Sequence, residues 1–253
     1  MSNPKTVAIL QSNYIPWKGN FHMMYLVDEY VLYDDVQFTR RDWRNRNKIK
    51  TPKGLKWLTI SVKKVENHQS SDTGQKICET EISDSSWAEK HWRQIKANYS
   101  QAPFWGVYSG KIKKLYEAAA GEKFLSNVNF LFLSEIMHLL DFSTEITWSM
   151  NYPAQGHKTD RLLDILKQAG ATDYLSGPAA KDYIEKKKFQ ESGIALHWMD
   201  YNAYSEYPQL YPPFEHGVSI LDMLFMLGEE TSSYIWGGKV LNLGEKKYES
   251  WPG

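Results

Sequence analysis

The stretch 6-TVAILQSNYIPWKGNFHMMYLVDEYVLYDDVQF-38 decides how the chain is read. Thr6-Val7-Ala8-Ile9-Leu10 is short, apolar and partly β-branched, as a buried strand is. From Gly19 to Asp28 the apolar residues Phe21, Met24, Tyr25 and Val27 fall at helical spacing, and Tyr30-Val31-Leu32-Tyr33 is a second buried strand. Strand, turn, helix and strand within about 30 residues is the length of one βαβ unit. Pro16-Trp17-Lys18-Gly19 reads as its turn, with Pro fixing φ and Gly permitting a left-handed residue. A turn that only redirects the chain has no need of Gln11, Asn13, Tyr14, Trp17 and Lys18 together.

Beyond this unit lies a basic stretch, 39-TRRDWRNRNKIKTPKG-54, read as a loop, and then an alternating strand at 57–62. Residues 64–83 are polar and turn-rich and read as a surface loop. From 86 to about 141 the pattern is helical, in three segments with a break near Gln101-Ala102-Pro103, and it is taken as an insertion or subdomain. Ile146-Thr147-Trp148 is a strand, and 159–168 is an amphipathic helix with Leu162, Leu163, Ile165 and Leu166 inward and Gly170 as its stop. Strands follow at Tyr174-Leu175 and Ile194–Trp198, then a helix at 218–227 and an irregular tail at 228–253. The expected fold is α/β: a mostly parallel sheet with flanking helices and a helical insertion at 86–141, in one domain spanning 1–253.

Thirty basic residues balance thirty acidic ones among 253, so the overall field does not attract nucleic acid, which is not the expected partner. The single cysteine, Cys78, excludes an intrachain disulfide and a cysteine-cluster metal site, and suits a reducing cytoplasm. No basic segment followed by an apolar core opens the sequence, so no signal peptide is expected. The most apolar segment, 124–140, carries Ser, Asn and Glu and falls short of a spanning helix. The expectation is a cytoplasmic protein without membrane insertion. P-loop, GxGxxG, GxSxG and HExxH motifs are absent from the sequence.

Parallel α/β sheets bind ligands at the carboxyl ends of their strands, where strand order reverses. Gln11, Asn13, Tyr14, Trp17 and Lys18 leave the first strand; Asp34, Asp35 and Gln37 leave the second; Ser176, Gly177 and Lys181 leave a later one. Their convergence on one edge is the functional signal, although each piece has a plain structural reading. Lys18 and backbone N–H groups at a helix start can hold phosphate. Asp34 and Asp35 can bind Mg²⁺ or ribose hydroxyls, or form a turn. Consecutive strand residues face opposite ways, so both serve one ligand only if the strand has ended. Arg44, Asn45, Arg46 and Asn47 sit in the basic stretch, where arginine forks match phosphate and carboxylate, or where a loop is simply solvated. In 158-KTDR-161, Lys158 and Arg161 can reach an anion while Thr159 or Asp160 caps the helix.

The blocks AILQSNYIPWKGNF, VDEYVLYDDVQFTRRDWRNRNKIKTPKG, YLSGPAAKDYI and YPQLYPPFEHGVSILDMLFMLG resemble the WbqC-like family in order and over most of the chain. That resemblance implies a bacterial cytoplasmic protein associated with O-antigen (lipopolysaccharide) or other surface-polysaccharide biosynthesis. More distantly, the strand–turn–helix–strand opening is similar to HIGH-type adenylating amide ligases. In those enzymes an HxGH element stabilises phosphates. Here the corresponding place reads Trp17-Lys18-Gly19-Asn20-Phe21-His22, without the first His, so Lys18 and His22 would supply the charge, with Arg44 and Arg46 on carboxylate or phosphates.

The resulting expectation is an acyltransferase or ATP-dependent amide ligase that joins an acyl or aminoacyl group to a nucleotide-linked amino sugar. Lys18, His22, Asp34 and Asp35 are its candidate catalytic residues, and ATP with Mg²⁺ or an acyl-CoA its candidate donors. The alternatives are a non-catalytic nucleotide-sugar binding protein and a glycosyltransferase.

Overall fold

The structure is a computed structural model that describes residues 3–63, 74–202 and 204–236. In chain order its elements are β1 (Thr6–Leu10), α1 (Lys18–Tyr25), β2 (Glu29–Leu32), β3 (Arg46–Thr51), β4 (Gly54–Thr59), α2 (Trp87–Tyr99), α3 (Trp105–Ala119) and α4 (Leu125–Leu139). Then come β5 (Glu145–Trp148), α5 (Lys158–Gln168), β6 (Asp173–Ser176), α6 (Lys186–Ser192), β7 (Ala195–Trp198), α7 (Ile220–Leu227) and α8 (Thr231–Trp236).

Five strands form a parallel sheet in the order β5-β2-β1-β6-β7, as the βαβ spacing predicts. Alternation sorts their side chains. Ala8, Tyr30 and Leu32 join the core built on α1 and helices α2–α4 and α7. Val7, Ile9 and Val31 join a second core with Leu162, Leu163, Ile165 and Leu166 of α5 and Phe189 of α6. Burial on both faces explains why the strands are continuously apolar rather than alternating. Each fully buried Leu or Ile on α5 contributes about 1.5–3 kcal/mol to holding it against the sheet.

From β1 the chain moves outward to β2 and then β5; it returns to the other side of β1 for β6 and continues to β7. Strand order therefore reverses between β1 and β6, and the carboxyl ends of β2, β1 and β6 lie side by side. Helices α2, α3 and α4 lie between β4 and β5 in sequence, within the crossover from β2 to β5. The break expected at 101–103 separates α2 from α3.

Several expectations change. The basic stretch is not a loop throughout: Arg46–Thr51 pairs antiparallel with Gly54–Thr59, from Arg46↔Thr59 to Thr51↔Gly54. Residues 228–236 are helical rather than irregular, with the remaining tail, 237–253, outside the described residues. The surface loop expected at 64–83 falls outside them over 64–73, and Ile77–Glu79 forms a 3₁₀ turn. Gly19 lies inside α1, and the positive φ of the preceding turn falls on Ile15 at 35°. The glycine is needed for a close approach: a Cβ there would stand 2.4 Å from Trp17 Cζ2. Gly170 does have φ 70°, directly after the end of α5. Among the described residues no helix is long and apolar enough to cross a membrane.

Candidate functional site at the carboxyl edge of the sheet

The loop leaving β1 is fixed from beneath by Asp34. This carboxylate is fully buried; it accepts the Ser12 N–H at 2.8 Å and the Ser126 hydroxyl of α4. Asn129, one turn further along α4, donates to Ser12 Oγ at 2.9 Å and to the Arg44 carbonyl at 2.9 Å. Burial pushes the Asp34 carboxyl up, against the hydrogen bonds of Ser12 and Ser126 and the nearby Arg44, which hold it down. Asp35 points to the other face, where it accepts the Ser149 hydroxyl at 2.6 Å and pairs with Arg161 of α5. The Arg161 guanidinium also lies 5.3 Å from the Tyr33 ring centroid. Strand alternation thus continues past Leu32, and Asp34 and Asp35 do not form a shared Mg²⁺ site. Asp34 is a brace for the β1 loop, and Asp35 orients a cation.

The four candidates of the basic stretch also separate. Arg44 turns to the end of β1, donating to the Gln11 carbonyl at 3.3 Å and to Asn13 Oδ1, with Asp42 3.6 Å away. Burial lowers its pKa, with Asp42, Asp34 and Tyr30 acting in the opposite sense. Arg46 instead lies over the Trp57 ring, 4.1 Å from its centroid, on the outside of the hairpin. Asn45 and Asn47 are buried braces: Asn45 donates to the Ile60 carbonyl at 2.8 Å, and Asn47 to the Tyr14 and Ile15 carbonyls at 3.2 and 2.9 Å. Tyr14 is a core residue, fully buried, with its hydroxyl bonded to His91 Nδ1 and the Tyr116 hydroxyl. Gln37 forms an isolated bridge with Lys76, and its neighbour Phe38 bonds the Gln75 carbonyl.

At the start of α1, Lys18 is only 2% exposed. Its ammonium donates to His216 Nδ1 at 2.6 Å and stands 5.0, 5.4 and 5.7 Å from the ring centroids of Tyr204, Tyr207 and Phe214. No carboxylate forms an ion pair with it among the described residues. Burial lowers its pKa to about 8, with Asp222 pulling upward. Trp17 packs edge-on against Tyr201 and Tyr204. His22 Nδ1 bonds the Tyr204 hydroxyl at 2.9 Å, and burial lowers its pKa to about 4. Burial thus favours the neutral imidazole, against the positive charge expected of His22.

On the β6 side, Ser176 is buried and its carbonyl accepts Met199 N–H at 2.9 Å. Gly177 then leads into a 3₁₀ turn, Pro178–Asp182. Lys181 is exposed, its ammonium 5.7 Å from the Trp198 ring centroid at the end of β7. Neither Thr159 nor Asp160 caps α5, whose first residue is Lys158. Thr159 accepts the Glu185 N–H at 3.2 Å, and Asp160 pairs with Lys188 at 2.7 Å. Lys158 is exposed, with φ 50°.

The adjacent strand ends therefore carry Gln11 and Asn13 after β1, contacted by Arg44 from ahead of β3; Asp35 after β2, paired with Arg161 of α5; and Ser176, Gly177 and Lys181 at and after the end of β6. Missing from the sequence reading were Tyr204, Tyr207, Phe214, His216 and Asp222. Asp222 is fully buried on α7 and accepts Tyr99, Tyr207 and Gln209 at 2.8, 2.7 and 3.0 Å. A lone carboxylate in 220-ILDMLFML-227 is the one signal that marked this region, because a buried charge needs donors around it.

The WbqC-like protein family profile matches residues 11–234, which takes in every element from α1 to α7. The chain belongs to the WbqC-like protein family. The chain is 43% identical over 232 residues to a Mycobacterium tuberculosis (strain ATCC 25618 / H37Rv) protein named "Uncharacterized protein Rv1507c". That alignment covers 91% of this chain and 97% of the relative. No solved structure matches. Membership of the WbqC-like family suggests involvement in polysaccharide biosynthesis.

Proposed function

We propose that the protein binds a nucleotide-linked amino sugar at the carboxyl edge of its sheet and acylates the sugar amine during surface-polysaccharide biosynthesis. The observation that carries this reading is the reversal of strand order between β1 and β6, the position where open parallel sheets hold nucleotides. Arg161 and Lys181 flank that position with cations for a pyrophosphate, while Asn13 and Gly177 offer polar and backbone groups. Arg44 acts mainly through the loop it holds.

Acyl transfer forms a bond between the sugar nitrogen and the acyl carbonyl carbon, breaks the carbonyl bond to the leaving group, and releases one proton from nitrogen. The leaving group is adenylate if ATP activates the carboxylate, or thiolate if the donor is an acyl-CoA. A base with a pKa near the working pH serves the proton transfer best. Lys18, at about 8 and hydrogen-bonded to His216, meets that requirement, whereas Asp34 has both oxygens engaged beneath the loop.

The second reading, binding without turnover, is favoured by the closure of Lys18 beneath Tyr204, Tyr207 and Phe214. Incubation with UDP-, GDP- and dTDP-linked amino sugars, together with acyl-CoAs or with ATP–Mg²⁺ and carboxylates, separates the two by mass spectrometry. N-acylated product that disappears in Lys18→Met supports acylation. Binding without product from any donor supports the second reading, and absence of both binding and product defeats the proposal.

A further inference from the structure

Between residues 39 and 59 the chain carries eight cations and one acid, Asp42, although the whole protein is neutral. Two of the cations are used internally: Arg44 at the end of β1, and Lys50, buried against the Pro213 carbonyl. No carboxylate forms an ion pair with Arg40, Arg41, Arg46, Lys48, Lys53 or Lys56 among the described residues. The nearby acids Asp84 and Glu89 are already matched by Lys90 and Arg93 of α2. These last residues line a cleft of about 450 Å³ between β4 and α2, beside the hairpin.

The hairpin exposes Leu55 and Trp57, at 41% and 40%, and the turn before it exposes Trp43, at 41%. Leu55, Trp57 and Thr59 alternate on one face of β4, and the register sets Lys48 opposite Trp57 and Arg46 opposite Thr59. Trp43 packs on Trp57 with ring centroids 5.3 Å apart. Lys48 stands 5.6 and 5.3 Å from the two rings, and Arg46 covers Trp57. The result is an apolar surface of two indoles and a leucine, with cations laid along and around it.

We propose that this outer face of the β3–β4 hairpin docks the protein peripherally on an anionic lipid bilayer. Indoles partition to the headgroup level, a leucine beside them reaches toward the acyl boundary, and lysines and arginines meet anionic headgroups. Charge complementarity selects the occupant, and ring geometry selects lipid over single-stranded nucleic acid. A nucleic-acid platform needs an open aromatic face for base stacking; here the Arg46 guanidinium occupies one face of Trp57, and Leu55 would contribute nothing to a base. This surface is separate from the strand-end site, so it stands or falls independently of the acylation reading.

The test is co-sedimentation of the full chain with vesicles of phosphatidylcholine containing about 30% phosphatidylglycerol, against vesicles of phosphatidylcholine alone. Binding is expected only with the anionic lipid, and it should be lost at high salt. Lys48→Glu/Lys53→Glu should weaken it by at least roughly 25-fold, at about fivefold for each cation removed. Trp43→Ala/Trp57→Ala should weaken it as well. Circular dichroism melting confirms that each variant is folded; Arg40→Glu/Lys56→Glu, on other exposed positions, replaces the first pair if it is not. The proposal is overturned if anionic vesicles do not retain the protein, if the folded charge-reversal variants bind as well as the parent, or if single-stranded RNA displaces the vesicles.

Discussion

Lys18, Arg44 and Arg161 at the strand ends are each enclosed by specific partners, whereas Arg40 ahead of the hairpin and Lys48, Lys53 and Lys56 on it form no ion pair with a carboxylate among the described residues. Both groups are cationic, but burial gives them different chemistry. An enclosed ammonium such as Lys18 loses hydration and becomes easier to deprotonate, which suits it to move a proton. An exposed ammonium keeps its charge and projects a field, which suits it to attract an anionic surface. The comparison separates a site that acts through protonation and fixed geometry from one that acts through charge density.

The largest effect that sharpens this contrast is expected at Asp34, the brace under the enclosed group. Asp34→Ala leaves the Ser12 N–H and the Ser126 hydroxyl buried without their acceptor, and should cost about 3 kcal/mol in urea unfolding. A loss below about 1 kcal/mol would show that the loop does not depend on it.

Next comes acid sensitivity. Burial lowers His22 and His91 from 6.5 to about 4 in the folded protein. Between those values the unfolded chain binds more protons, so stability is full above about pH 6.5 and falls as pH drops toward 4. Each histidine should contribute about 2 kcal/mol to that slope, and His91→Gln should flatten a plot of melting temperature against pH.

Lys18 gives the same sign in a higher pH window, with a smaller effect. Its folded pKa of about 8 lies below the ordinary 10.5, so the unfolded chain holds more protons between them. Stability should therefore rise with pH across that window, by about 1–2 kcal/mol from this residue. Lys18→Met should remove the rise, and an unchanged slope would count against the buried-amine account. On the hairpin, by contrast, Lys53→Glu should change stability by no more than about 0.5 kcal/mol in the same unfolding assay.

The β1–α1–β2 unit and the three strand ends were legible because apolar runs of strand length bracket a helical spacing, and alternation then fixes the faces. The hairpin was hidden for a physical reason. In 46-RNKIKT-51 the inward side includes Asn47, which binds loop carbonyls, so a polar residue stands where the period-two pattern would show an apolar one. The surroundings of Lys18 were hidden by sequence distance: His216 lies 198 residues away, in a segment without helical or strand periodicity. Composition could announce the basic stretch as a whole, but only the folded contacts divide it, with Arg44 turned to the end of β1 and Arg46 laid over Trp57.

The most direct test of the strand-end account is calorimetric titration of the protein with UDP-, GDP- and dTDP-linked amino sugars. The parent should show saturable binding to one of them. Arg161→Ala and Lys181→Ala should each weaken it about tenfold or more, the loss of one charge-assisted contact, and Lys48→Glu/Lys53→Glu should leave it unchanged. No binding to any of these ligands by the folded protein, or binding lost only in the hairpin variant, would contradict the placement of the site at the β1–β6 edge.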